Sequence, residues 1–197
     1  MSRQTSGRRR PLWRASASEY ARPWFYSSRD TAADPGRFDL ASPHGTCYWA
    51  VSAAAAVIEF TADPDALDPP ALVAADLHDV ALWVAHEVPA ARSPRLADTT
   101  VASIQTLNGE IATIVPYDLP WQWADAFHAD GRTGIVYRGR FASDDAVALF
   151  GLTGIPDDPP TAIRHAATDH IDELPPAFTA HIGSVGSITD YETAPPP

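Results

Sequence analysis

The chain has 197 residues, 45% of them hydrophobic and 20% charged, which is the size and composition of one domain able to bury its own core. Twenty-five acidic residues against 14 basic ones give a formal charge of −11, which excludes general affinity for phosphate backbones. One cysteine, Cys47, excludes an internal disulfide framework and a multi-cysteine zinc site.

Residues 1–10 read as a flexible basic tail. They lead into no apolar stretch of the secretory kind, and no later apolar run approaches the roughly 18 residues that span a bilayer, so a cytoplasmic protein without a membrane role is expected. A short strand is predicted over 11–15, where Leu12, Trp13 and Arg14 suit a half-buried position. Residues 27–45 are rich in Ser, Asp, Pro and Gly and predict a long functional or mobile loop. A buried strand follows over 45–51. Ser52 then caps a helix running to about Thr61, propagated by the alanines at 53–56.

Residues 71–83 read as one or two strands, and 93–104 stay ambiguous between helix and strand. Over 120–130, Pro120 suits the first helical position and Trp123 meets Phe127 at i,i+4, which predicts an amphipathic helix ended by Gly131. Strands are expected at 134–137 and 146–150. Beyond Gly154 the chain is Pro-rich, and 156–197 reads as an irregular arm packed on or extending from the domain. The fold class is therefore α+β, a single domain in which strands outnumber helices.

Several chemistries are set aside at this stage. The glycines are scattered and form no phosphate loop. His44 and Cys47 are neighbours, but Cys47 lies in a hydrophobic strand pattern and reads as a packed thiol rather than a nucleophile. His78, His86 and Glu87 match no closed metal site, so no metal is expected. A more suggestive set is Arg14, Arg37, Tyr48 and Glu59. Arg14 follows Trp13 in an apolar strand, where an inward guanidinium needs a partner. Glu59 ends an otherwise apolar helix face. By residue type alone, a structural ion pair at Arg14 and a solvent-exposed Glu59 explain these residues as well as, or better than, a site.

The motifs decide otherwise. Trp13-Arg14, Gly36-Arg37-Phe38-Asp39-Leu40, Gly45-Thr46-Cys47-Tyr48-Trp49-Ala50 and Ala56-Val57-Ile58-Glu59 resemble the RES domain family, named for its Arg, Glu and Ser. Trp123-Ala124, Phe127-His128, Gly131, Gly134-Ile135-Val136-Tyr137-Arg138 and Ala148-Leu149-Phe150-Gly151 continue the resemblance, which spans 11–155. Arg37, Tyr48 and Glu59 follow one another at 11-residue intervals, in keeping with the family pattern.

The resemblance implies an ADP-ribosyltransferase-like fold with mixed or antiparallel sheets and flanking helices. It also implies NAD as a substrate rather than a cofactor, cleaved at the nicotinamide–ribose bond with water or inorganic phosphate as acceptor. A bacterial toxin restrained by an Xre-type antitoxin is the implied setting. Glu59, Arg14 and Tyr48 take catalytic roles in that reading, and Arg14, Arg37, Tyr48 and Arg138 bind NAD. The chemistry suits these types: a carboxylate stabilises an oxocarbenium-like ribose, and guanidinium forks match a pyrophosphate. The family serine has its slot at Gly139, with Arg138 and Arg140 on either side. That departure keeps two alternatives open, a protein ADP-ribosyltransferase and a degenerate RES domain acting as a binding module.

Overall fold

In the computed structural model, residues 11–17, 22–62, 80–85, 96–100, 114–142, 144–158 and 163–166 are described. Strand β2 (His44–Ala50) organises them. Its β-branched and aromatic residues pair antiparallel along their whole length with β6 (Asp145–Leu152), from His44 opposite Leu152 to Ala50 opposite Ala146. Outward from β6 lie β5 (Gly134–Arg138), antiparallel, and β4 (Leu96–Asp98), which is parallel to β5.

On the other side of β2 the pairing nearly fails. Strand β1 (Leu12–Ala17) meets β2 in a single registered pair, Trp13 with Ala50. It pairs in full with β3 (Val80–Ala85), which in turn carries β7 (Ile163–Ala166) at the edge. The result is a seven-stranded sheet of order β4-β5-β6-β2-β1-β3-β7, opened between β1 and β2.

The two helices among the described residues cover one face of this sheet. Helix α1 (Ala53–Thr61) is capped by Ser52, whose hydroxyl accepts from the Ala55 amide, as its sequence predicts. Its small residues let it lie close to the sheet, and Ala53–Val57 are buried against Ala15, Ala50, Val80 and Leu82. Helix α2 (Asp118–Ala129) begins at Asp118, two residues before the expected start. Pro120 therefore sits inside the first turn, where its missing N–H is still no loss. Gly131 ends the helix at φ 77°, a conformation that glycine adopts without steric cost.

Ala124 of α2 packs into a cluster with Phe38, Leu40, Ile135, Tyr137, Ala146 and Ala148. By strand alternation Cys47, Trp49, Val147 and Leu149 face the other way, where Trp24 and Tyr26 cover them. Cys47 is fully buried, in keeping with a packed thiol.

One element falls where an irregular arm is expected: β7 is a four-residue strand at the sheet edge. The predicted strand at 71–83 is found in part as β3. The ambiguous 93–104 segment holds β4 at 96–98; residues 93–95 and 101–104 lie outside the described residues, as do His78, His86, Glu87, the tail 1–10 and 167–197.

Candidate active site

The opening between β1 and β2 is a cavity of about 880 Å³, lined by β1, β2, the end of α1 and the loop before β2. Arg14, Arg37, Tyr48 and Glu59 all face it. Residues far apart in the chain thus meet in one space, because the loop after β1 and the helix after β2 both return to the place where the ladder parts.

Arg14 occupies the gap itself. Its Nη1 donates to the Tyr48 carbonyl at 3.0 Å and lies 3.3 Å from Cys47 Sγ. Where β1 no longer supplies ladder partners, a guanidinium satisfies the strand. Its Nε is buried and has no hydrogen-bond partner among the described residues. Among the described residues Arg14 thus serves a carbonyl and a thiol, and the structural ion pair considered from sequence is not what holds it.

Arg37 is carried by the 27–45 loop, which is latched. Trp121 Nε1 donates to the Gly36 carbonyl at 3.0 Å, and Arg29 forms a two-pronged ion pair with Asp125 at 2.9 and 3.0 Å. The Arg37 guanidinium lies 5.4 Å from the centre of the Tyr117 ring, within cation–π range.

Tyr48 is oriented by its hydroxyl, which donates to Asp39 Oδ1 at 2.8 Å and accepts from the Phe38 amide at 2.8 Å. Asp39 is fully buried, and its Oδ2 accepts from Ser27 Oγ at 2.8 Å and from the Gly36 amide at 2.9 Å. Burial pushes its carboxyl up to about 6, against the opposing pull of the donors from Ser27, Tyr48 and Gly36 and of the Arg14 charge. Burial, followed by the nearby Asp39 charge, likewise raises Tyr48, so its hydroxyl remains a donor.

Glu59 is only partly buried, and its Oε1 accepts from the amides of Phe141 at 2.7 Å and Ala142 at 3.0 Å. It is therefore not the solvated helix carboxylate that its position alone allows.

Arg138 does not join them. Successive β5 side chains point to opposite faces: Tyr137 is buried and lines the cavity, whereas Arg138 is 51% exposed and lies 3.5 Å from Asp145. Alternation alone separates these two residues. Tyr137 is a cavity residue that the sequence reading did not single out, and burial with the Glu59 charge raises its phenol. Asp39 was also missed as a site residue. Its sequence signal is its place in the Gly36–Leu40 motif, three residues after Gly36, where the two close a turn through Asp39 N–H to Gly36 O at 3.2 Å.

Fold and cavity together define an α+β protein whose split sheet holds a pocket walled by arginines, tyrosines and a carboxylate. The RES domain model matches residues 11–170, and the chain belongs to that family. None of the curated proteins matches it. Among solved structures, a chain in the crystal structure of the M. tuberculosis MbcT–MbcA toxin–antitoxin complex is similar, with 13% identity and a TM-score of 0.50. The match covers 83% of this chain and 87% of that one, and shows a shared fold. Among the described residues no helix is long and apolar enough to cross a membrane.

Proposed function

We propose that this RES protein cleaves the nicotinamide–ribose bond of NAD, passing the ADP-ribosyl group to water or inorganic phosphate. The observation that carries the proposal is the convergence of Arg14, Arg37, Tyr48 and Glu59 on one cavity. The C–N bond breaks with its electron pair going to the pyridine nitrogen, which neutralises the nicotinamide ring. A C–O bond to the acceptor forms at the same ribose carbon, and the acceptor gives up a proton. With water the products are nicotinamide, ADP-ribose and a proton; with hydrogen phosphate they are nicotinamide, ADP-ribose phosphate and a proton.

Each side chain has a task in that reaction. The Glu59 carboxylate stabilises positive charge on the ribose and orients the acceptor. Arg14 and Arg37 offset the pyrophosphate charge, which an overall charge of −11 would otherwise repel. Tyr48 offers a ring held still by its hydroxyl, a platform for a flat base. An antitoxin-type partner of the Xre class would restrain the enzyme in a cell. Exposed Phe25 and Phe60 on the cavity wall give such a protein apolar purchase.

The test is chromatography of NAD incubated with purified protein, with and without phosphate. Nicotinamide release is expected, and Glu59→Gln should reduce it at least about 100-fold. The side-chain oxygen of the substituted amide still accepts from the loop amides, so the fold is retained. Equal turnover in that variant overturns the assignment. ADP-ribose appearing on protein would select the transferase reading, and binding of NAD without turnover the non-catalytic one.

A further inference from the structure

We infer that the loop between β5 and β6 is the element that aims Glu59, with Gly139 and Asp144 as positioning residues. The inference rests on the proposed role of Glu59 and concerns how this chain holds that carboxylate in place. The loop is closed by the Gly139 amide donating to the Asp144 carbonyl at 2.8 Å. Within it, the Phe141 and Ala142 amides converge on Glu59 Oε1. A carboxylate oxygen that accepts two amides has little freedom to turn, and hydrogen bonds to a charged acceptor are stronger than neutral ones. Oε2 takes no part in this seat. Phe141 also lines the cavity, so the seat is part of the cavity wall.

The same loop grips the opposite end of α1. Ser52 Oγ, while capping the helix, donates to Asp144 Oδ2 at 2.7 Å, and the Val51 amide donates to the Asp145 carbonyl at 3.2 Å. One short loop therefore fixes both the cap of α1 and the carboxylate about two turns along it. The placement of Glu59 depends on this clasp as well as on its own helix.

Gly139 makes the arrangement possible. A Cβ at this position would lie 2.7 Å from Glu59 Oε1, 3.1 Å from its Cδ and 3.3 Å from the Asp144 carbonyl oxygen. The nearest obstacle is the end of a flexible side chain, so the fold would accept the extra carbon by turning the carboxylate away. The two-amide seat and a side chain at 139 are mutually exclusive. In this chain the bare backbone is what Glu59 requires, and a serine placed there would harm the site rather than complete it.

The experiment compares wild type with Gly139→Ala, Gly139→Ser, Asp144→Ala and Asp144→Asn. It measures kcat and KM for nicotinamide release, thermal midpoint, and hydrogen exchange at the Phe141 and Ala142 amides. Both Gly139 variants should lose about 100-fold in kcat with KM and midpoint little changed, because a misaimed group costs rate rather than binding. Their Phe141 and Ala142 amides should lose protection. Asp144→Ala should lower kcat, and Asp144→Asn, which still accepts from Ser52, should restore most of it. Undiminished kcat in Gly139→Ser, or unchanged exchange at the two amides, overturns the inference. If the wild type releases no nicotinamide, the proposed reaction has failed, and the exchange readout tests the clasp by itself.

Discussion

Tyr48 and Asp39 share a 2.8 Å hydrogen bond at the cavity, and that one contact joins the central strand to the loop bearing Arg37. The tyrosine hydroxyl also takes the Phe38 amide, so a single oxygen satisfies a buried donor and a buried acceptor. Tyr48→Phe removes both partners while keeping the ring. It should cost about 1–3 kcal/mol of stability, since each buried group is left short of a partner. Urea unfolding measures this. Because the ring face survives, affinity for NAD should change far less than stability. A loss of binding larger than the loss of stability would show that the hydroxyl, not the face, meets the ligand.

Asp39 predicts how stability follows pH. Its carboxyl is raised from 3.8 to about 6 in the folded chain, so the native state holds the proton more tightly than the unfolded one. The contribution is fully present below the unfolded value, is lost as pH rises through about 6, and is flat above that range. Its size is on the order of 2–3 kcal/mol. Asp39→Asn cannot titrate, so the stability of wild type relative to this variant should fall between about pH 4 and pH 7. A difference that does not vary with pH across that range would refute the assignment.

Arg14 has both a structural and a ligand role, and two substitutions separate them. Arg14→Ala leaves the Tyr48 carbonyl without its donor across the opened ladder, and should both destabilise the fold and raise KM for NAD. Arg14→Lys restores a donor and a charge but not the planar fork, so stability should recover more than binding. Denaturation and steady-state kinetics on the pair test this. Equal recovery of both would mean that the fork has no special part in binding.

Much of this was legible beforehand because it depends on local chemistry. Ser52 before four alanines specifies a capped helix and Gly131 specifies a stop, whereas Arg37, Tyr48 and Glu59 stand out only through the resemblance to the RES pattern. The remainder depends on tertiary partners. Asp39 lies in a polar loop and looks solvated; its burial is set by donors 12 residues before it and nine after it. Strand β7, with the sequence Ile-Arg-His-Ala, has no apolar alternation, and its conformation comes from the β3 edge it joins. The Glu59 seat consists of backbone amides, which no residue identity announces. Arg138 is the opposite case, since period-two alternation already sets it on the other face from Tyr137.

The latch between α2 and the 27–45 loop gives the last prediction. Trp121 holds the Gly36 carbonyl, one residue before Arg37, and Arg29 reinforces the same contact through Asp125 and through the Asp39 carbonyl at 3.3 Å. Trp121→Phe keeps an aromatic ring and removes the indole donor, a neutral hydrogen bond of about 1 kcal/mol. Loosening the loop should weaken the hold of Arg37 on the substrate without moving Glu59, which is anchored to the β5–β6 loop instead. KM for NAD should therefore rise roughly fivefold while kcat stays near the wild-type value. Combining it with Arg37→Ala should add little further loss in KM, because both changes act through the same guanidinium. Fully additive losses would place the role of Trp121 elsewhere in the cavity wall.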